Sequence, residues 1–358
     1  MNSLLSEHSR ELLKENNCFD FIRYFFTISV FIGHFCVLNN IEYFWFINGE
    51  TGVRAFFIIS GFLIFYSHIE KQSIKYYIDK RVRRILPPYF SVVILSFIIG
   101  IFITKLNLKD YLTYTETYKY LIANLGFLNF IQPNLPGVFE SNPITAVNGS
   151  LWTMKVEIMF YVSVPFIYYL FKKYNKLIII LAIFSLAIAY DYFFMSLYKQ
   201  TDNQMYLLIR KQFGSQLIYF YSGTFVLLYF DYFIKYLKFI FPAAIVIFLF
   251  RDTNFILSCL SPLAFAAILI GIAYNFKYMN FLRRYDNISY GMYLYHYPII
   301  QIIIYYKIAE QNIYISFCLA LISTIVVSWL SWIWLEKPII TKILSLFPIA
   351  IFRIIIGT

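Results

Sequence analysis

A few ionisable side chains in this sequence sit inside long apolar runs, where a charge is costly and usually has a task. Arg23 and His34 share one such run, eleven residues apart. On an α-helix that spacing falls about 20° past three full turns, so both lie on one face, roughly 16 Å apart along the axis. An imidazole with an ordinary pKa near 6.5 accepts a proton at neutral pH, which makes His34 a candidate general base. Spacing alone leaves two readings open, the base or a histidine satisfied by a neighbouring helix backbone. Arg23 on its own reads first as a cation snorkelling to the membrane interface.

Lys155 and Glu157 lie in a later run. Glu157 falls at a depth similar to that of His34, about 12 Å below the membrane boundary by helical rise. A carboxylate at that level could orient the imidazole or balance its protonated form. The competing reading pairs Glu157 with Lys155 or Arg54. Lys155, two residues away, faces elsewhere on the helix, which leaves Arg54 as the structural partner. His296 lies in Ile288–Pro298, where Pro298 frees a backbone carbonyl for polar side chains, and a structural and a functional role for it stand level. His8 and His68 read as ordinary loop or interface residues. With two intramembrane histidines and no inward cluster of carboxylates, no metal site is expected. The cysteines at 18, 36, 259 and 318 have no ligand spacing and read as small buried hydrophobes. Lys80–Tyr89 packs four cations ahead of an apolar run. That stretch is either a topology signal or a dock for phosphate groups, which Arg forks bind bidentately. No Gly-rich nucleotide loop, nucleophile elbow or cysteine nucleophile is present.

The elements that must carry these residues follow from composition. Of 358 residues 60% are apolar, 22% aromatic and only 14% charged, against about 25% charged in an average protein. A soluble domain or a disordered chain is excluded on that ground. The net charge of +11 falls in short clusters between apolar runs, which argues for membrane lipids and against nucleic acid as partner. Ten candidate spans cover 19–38, 51–69, 88–104, 149–171, 177–195, 215–230, 236–250, 256–274, 288–308 and 313–335. With the N-terminus inside, alternate loops hold 19 Lys and Arg on the cytoplasmic side and 7 opposite, and six of the 19 lie in 70–87. The bias predicts an all-α polytopic bundle of about ten spans with both termini cytoplasmic. Residues 1–18 form a cytoplasmic segment, 19–338 one transmembrane domain, and 339–358 a tail whose apolar stretch 339–356 reads as an interfacial helix. The first span has no cleavage site after it and is expected to be retained. The long loop 105–148 then lies outside, where it could cover a substrate site.

Together these stretches resemble acyltransferase family 3, polytopic O-acyltransferases of surface carbohydrates and other hydroxyl acceptors. Arg23 with His34 resembles its basic-x10-His signature, and Gly52–Ile64 its second-helix motif. Arg81 and Arg84 leading into Ile85–Tyr89 resemble its basic-loop motif. Ser150–Glu157 with Phe160 and Tyr161 is similar to its Ser-Leu-Trp segment, and Ile288–Pro298 and Glu336–Pro338 to its last two motifs. Met154 stands where the family usually has Leu, a tolerant swap, and Lys155 where it has a small or apolar residue. The chain resembles the standalone class, without a fused esterase-like domain.

The resemblance implies transfer of an acyl group, acetyl in the first place, from cytoplasmic acyl-CoA to a hydroxyl. The acceptor would be a cell-surface carbohydrate such as O-antigen, capsule, exopolysaccharide or a lipid-linked sugar, in the bacterial inner membrane. His34 would be the base, Glu157 its orienting partner, and Arg23 a guide for the thioester end of acetyl-CoA. Arg81 and Arg84 would meet the donor phosphates, with Arg54 a further substrate contact. Ser60, Trp152 and His296 would line the acceptor path. Two alternatives remain open: a carrier or flippase of lipid-linked sugars that does no chemistry, and an acyltransferase for a small-molecule or lipid acceptor.

Overall fold

The computed structural model describes residues 4–341, and every regular element among them is helical. Ten helices coincide with the ten apolar runs: α1 Phe19–Leu38, α2 Gly49–Lys71, α3 Ile74–Ile103, α4 Trp152–Lys173, α5 Lys176–Thr201, α6 Phe213–Leu228, α7 Leu237–Leu249, α8 Phe255–Asn275, α9 Ser289–Tyr305 and α10 Ile313–Ser331. Several open on an asparagine that stops the preceding loop. Asn175, Asn254 and Asn312 accept from the first free backbone amides of α5, α8 and α10. After α10 the chain passes through a π-helical turn, Trp332–Glu336, into Lys337–Thr341.

Seven of these helices are long and apolar enough to cross a membrane, against the ten spans expected. The difference lies in α6, α7 and α9, which have 16, 13 and 17 residues, where about 20 are needed to cross upright. The α9 helix stops at Tyr305, and Lys307 beyond it takes a left-handed backbone, φ 56°. A second difference concerns the basic stretch expected as a loop over 70–87. It is helical from Ile74, so α3 runs for 30 residues with Pro87 and Pro88 inside it. An Arg83–Asp79 pair at 2.8 Å, one turn apart, supports those early turns. Large apolar side chains stand exposed on the outside, Phe102 at 80% and Val162 at 73% among them. Such a surface suits hydrocarbon better than water. Cys18 and Cys36 are buried as expected, whereas Cys259 is half-buried and Cys318 exposed. Lipid accommodates an apolar thiol as a protein core does, so burial within the protein is not required there. Of the tail expected over 339–356, residues from 342 onward lie outside the described part.

The chain packs as two compact units interleaved in sequence. One takes the N-terminal segment to Phe26 with Glu50–Ile74 and Val156–Tyr285; the other takes Thr27–Gly49, Lys75–Lys155 and the chain from Asp286. In the first, α2 and α6 touch backbone to backbone at Gly61 and Gly223. A Cβ on Gly61 would collide with the Phe220 carbonyl, and one on Gly223 with that of Ile58. Thr224 Oγ1 donates to Gly61 O at 3.1 Å across the same crossing. Close approach through small residues is how helices bind where lipid removes the hydrophobic incentive. His68 also lies in this unit, buried with its ring edge-on to Tyr168 at 4.8 Å, rather than in a loop or at an interface.

In the second unit a strap over residues 142–153 lies along α9. Gln301 Nε2 donates to the carbonyls of Ile144 (2.7 Å) and Ala146 (2.6 Å), and Asn142 Nδ2 donates to Gln301 Oε1 at 2.8 Å. Further along, the Thr153 and Tyr293 hydroxyls meet at 2.7 Å. These bonds fix the register of the segment that opens α4.

Candidate active site

Pro298 has no N–H, so the carbonyl four residues back, that of Leu294, loses its helical donor. Asn148 Nδ2 supplies one at 2.9 Å. Its other end, Oδ1, accepts from the Ser150 amide (3.1 Å) and hydroxyl (2.7 Å), so one side chain caps the turn Gly149–Leu151 and repairs α9. A Cβ at Gly149 would stand 2.8 Å from the ring of Tyr297, so any larger residue there must displace that ring.

That repaired turn of α9 carries His296, 1% exposed. Its Nδ1 lies 3.0 Å from Met292 O and its Nε2 lies 2.7 Å from Nδ1 of His34 on α1. The His34 and His296 rings are stacked at 4.9 Å, and Tyr297 meets His34 edge-on at 5.2 Å. The sequence left His34 either a base or a histidine satisfied by backbone; its partner is the second intramembrane histidine. His34 is only half-buried, and its Nε2 is neither hydrogen-bonded to any described residue nor among the sealed polar atoms without a partner. A neutral imidazole with one nitrogen engaged and the other open can take a proton from a hydroxyl placed against it.

A second buried pair in the same unit joins Arg84 of α3 to Glu336 of the π turn, Nη1 to Oε2 at 3.3 Å. The guanidinium also stands over the rings of Trp332 (5.3 Å) and Tyr290 (5.7 Å). Glu336 is fully buried. It entered the sequence reading only inside a motif, although a carboxylate at the end of an apolar run is the kind of signal that singled out Glu157. Asn148 and Gln301 carried no such signal, since polar amides in loops and helices are common.

The remaining site candidates are placed as follows. Arg81 lies 6.0 Å over the ring of Tyr77 in the same helix, and Trp152, half-buried, is the first residue of α4. In the other unit Arg23 pairs with Asp20 at 3.1 Å, and Glu157 accepts from the hydroxyl of Tyr161 one turn on. Arg54 pairs with Glu50 at 2.6 Å and stacks on Tyr219 at 4.9 Å. The competing Arg54–Glu157 pairing is therefore not formed: Glu50, one turn before Arg54 on its own helix, is the nearer carboxylate. Ser60 is half-buried on α2 beside the Gly61 crossing. No three His, Cys, Asp or Glu side chains among the described residues gather as metal ligands do.

The family model of an acyltransferase domain, Acyl_transf_3, matches residues 16–333. The O-acetyl transferase of Shigella phage Sf6 is 24% identical over 341 residues, covering 92% of this chain and 98% of its own. Nodulation protein 10 of Rhizobium leguminosarum bv. viciae is 28% identical over 184 residues, 48% of each chain. The peptidoglycan O-acetyltransferase OatA of Listeria monocytogenes is 24% identical over 343 residues, 85% of this chain and 53% of its own. This chain thus spans about half the length of those last two relatives. No solved structure matches it. A family match from residue 16 to 333, on an all-helical chain with seven helices fit to cross a bilayer, means that the protein belongs to acyltransferase family 3 and is an integral membrane acyltransferase.

Proposed function

We propose that the protein O-acetylates a hydroxyl of a cell-surface carbohydrate, drawing the acetyl group from cytoplasmic acetyl-CoA across the bacterial inner membrane. The observation that carries this reading is the open Nε2 of His34, on a ring whose other nitrogen is engaged by His296. The names of the phage and Listeria relatives, an O-acetyl transferase and a peptidoglycan O-acetyltransferase, favour acetyl as the group and a carbohydrate as the acceptor.

In the step envisaged, the acceptor O–H gives its proton to His34 Nε2 while its oxygen attacks the thioester carbonyl. The C–S bond then breaks and the CoA thiolate takes the proton from the His34 imidazolium. The products are an O-acetyl ester and free CoA, with no net proton change. A site poor in water favours transfer over hydrolysis. Arg81 meets the donor phosphates, and Arg84 does so only by exchanging its Glu336 partner. Arg23 guides the thioester end, Glu157 balances charge, and Ser60, Arg54 and Trp152 contact substrate. The test is CoA release by purified protein given acetyl-CoA and surface polysaccharide from the host bacterium. Wild type is expected to release CoA and His34→Ala to release none above background; full activity in His34→Ala overturns the reading.

A further inference from the structure

A carbonyl oxygen can only accept a hydrogen bond, which settles where the protons of the two histidines lie. His296 Nδ1 faces Met292 O at 3.0 Å, so Nδ1 must carry the hydrogen. In the neutral ring that leaves Nε2 bare, and the group Nε2 meets among the described residues is His34 Nδ1, at 2.7 Å. His34 Nδ1 is therefore the donor, and the lone pair of His34 is on Nε2. We infer that His296 is a positioning residue for acyl transfer, one that holds His34 in the Nδ1–H tautomer and accepts from it while the imidazolium exists. The inference rests on His34 being the base, and it takes His296 off the acceptor path where the sequence resemblance put it.

The role resembles that of the carboxylate in a hydrolase triad, filled here by a neutral acceptor. No charge is buried before substrate arrives. When Nε2 of His34 takes the acceptor proton, its Nδ1–H bond to His296 becomes a charge-assisted one and strengthens. The proton does not move on. Transfer to His296 would place a cation on a side chain 1% exposed, packed against the rings of Phe31 (6.2 Å) and Tyr293 (6.0 Å), and burying such an ion costs more than leaving it on half-open His34. The proton consequently returns from His34 Nε2 to the departing thiolate.

Two substitutions separate this role from a structural or substrate-binding one. His296→Leu removes the acceptor, and His296→Gln restores an oxygen near the position of Nε2. With acetyl-CoA and host surface polysaccharide, His296→Leu is expected to lower kcat by about 10²-fold with KM for acetyl-CoA within twofold. His296→Gln is expected to recover at least about tenfold of that loss. A His296→Leu protein with wild-type kcat, or one that changes only KM, overturns the inference, while an active His34→Ala overturns the base assignment beneath it. Should His296→Leu fail to fold, diethyl pyrocarbonate on the wild-type protein decides. It attacks a bare imidazole nitrogen, so mass spectrometry is expected to find His34 modified and His296 not. Modification of His296 with His34 spared overturns the tautomer assignment.

Discussion

Two buried pairs in one unit, His34 with His296 and Arg84 with Glu336, begin from the same burden and end differently. Each has a member almost sealed from solvent, 1% exposed for His296 and fully buried for Glu336. Each joins residues more than 250 apart in sequence. The ionic pair spends its interactions on charge: the carboxylate holds the guanidinium, and the rings of Trp332 and Tyr290 cover it. The histidine pair is neutral. Its single hydrogen bond satisfies the inner nitrogens and leaves the outer one of His34 open. A buried polar pair of opposite charges is thus a brace, and a neutral pair that leaves one nitrogen facing outward is a tool.

Breaking the tool should cost turnover, and breaking the brace should cost stability. The largest effect is expected from His34→Ala, a loss of about 10²–10⁴ in turnover with an unchanged melting midpoint, read by CoA release and by thermal denaturation in detergent. Glu336→Ala leaves Arg84, 33% exposed, without its carboxylate and should destabilise by about 1–3 kcal/mol, below the cost of stranding a fully buried charge. Adding Arg84→Leu should return most of that, and a double variant no more stable than Glu336→Ala would show that the pair is no brace. Asn148→Ala strips the Leu294 carbonyl of its donor, at a cost of about 1–3 kcal/mol. Activity should fall with it, because the same turn carries His296. The smallest effect concerns a pair near the surface. Lys337 Nζ donates to Asp286 at 2.8 Å, and that bond holds the Asp286 carboxyl below the usual carboxylate range. A carboxyl easier to ionise folded than unfolded contributes fully above its unfolded pKa of about 3.9. The contribution fades as pH falls through the lower folded value. Lys337→Met should therefore lose under about 1 kcal/mol at neutral pH, and the gap to wild type should close in acid melting curves.

The contrast also marks what the sequence could and could not disclose. All ten apolar runs became helices, because burial in lipid leaves the backbone few alternatives. The carbonyl freed by Pro298 was legible too, since proline's missing N–H is a local fact. Its donor, Asn148, was not, being set by how a strap lies along α9. His34 and His296 each stood out, yet helical periodicity relates residues on one helix and says nothing of two helices 262 residues apart. For the same reason Glu157 was set against His34 by depth and Arg54 was left as its competing partner, when Tyr161 and Glu50, each one turn away on the same helix, were the nearer partners of Glu157 and Arg54. The basic stretch before Pro87 was read as a loop because its cations interrupt the apolar run, whereas α3 continues through it.

The distances along the chain have a consequence in time. His34 leaves the ribosome 262 residues before His296, and Arg84 leaves 252 before Glu336. At about 5–20 residues per second that is roughly 13–50 s of synthesis. Throughout it Arg84 has no counter-charge and His34 no acceptor, so both must wait near water or beside the insertion machinery. The tool can close once α9 arrives, and the brace only 40 residues later, when Glu336 follows His296. If His34 is the base, a chain cut short before α9 lacks the acceptor that fixes its tautomer, and acyl transfer must await that helix.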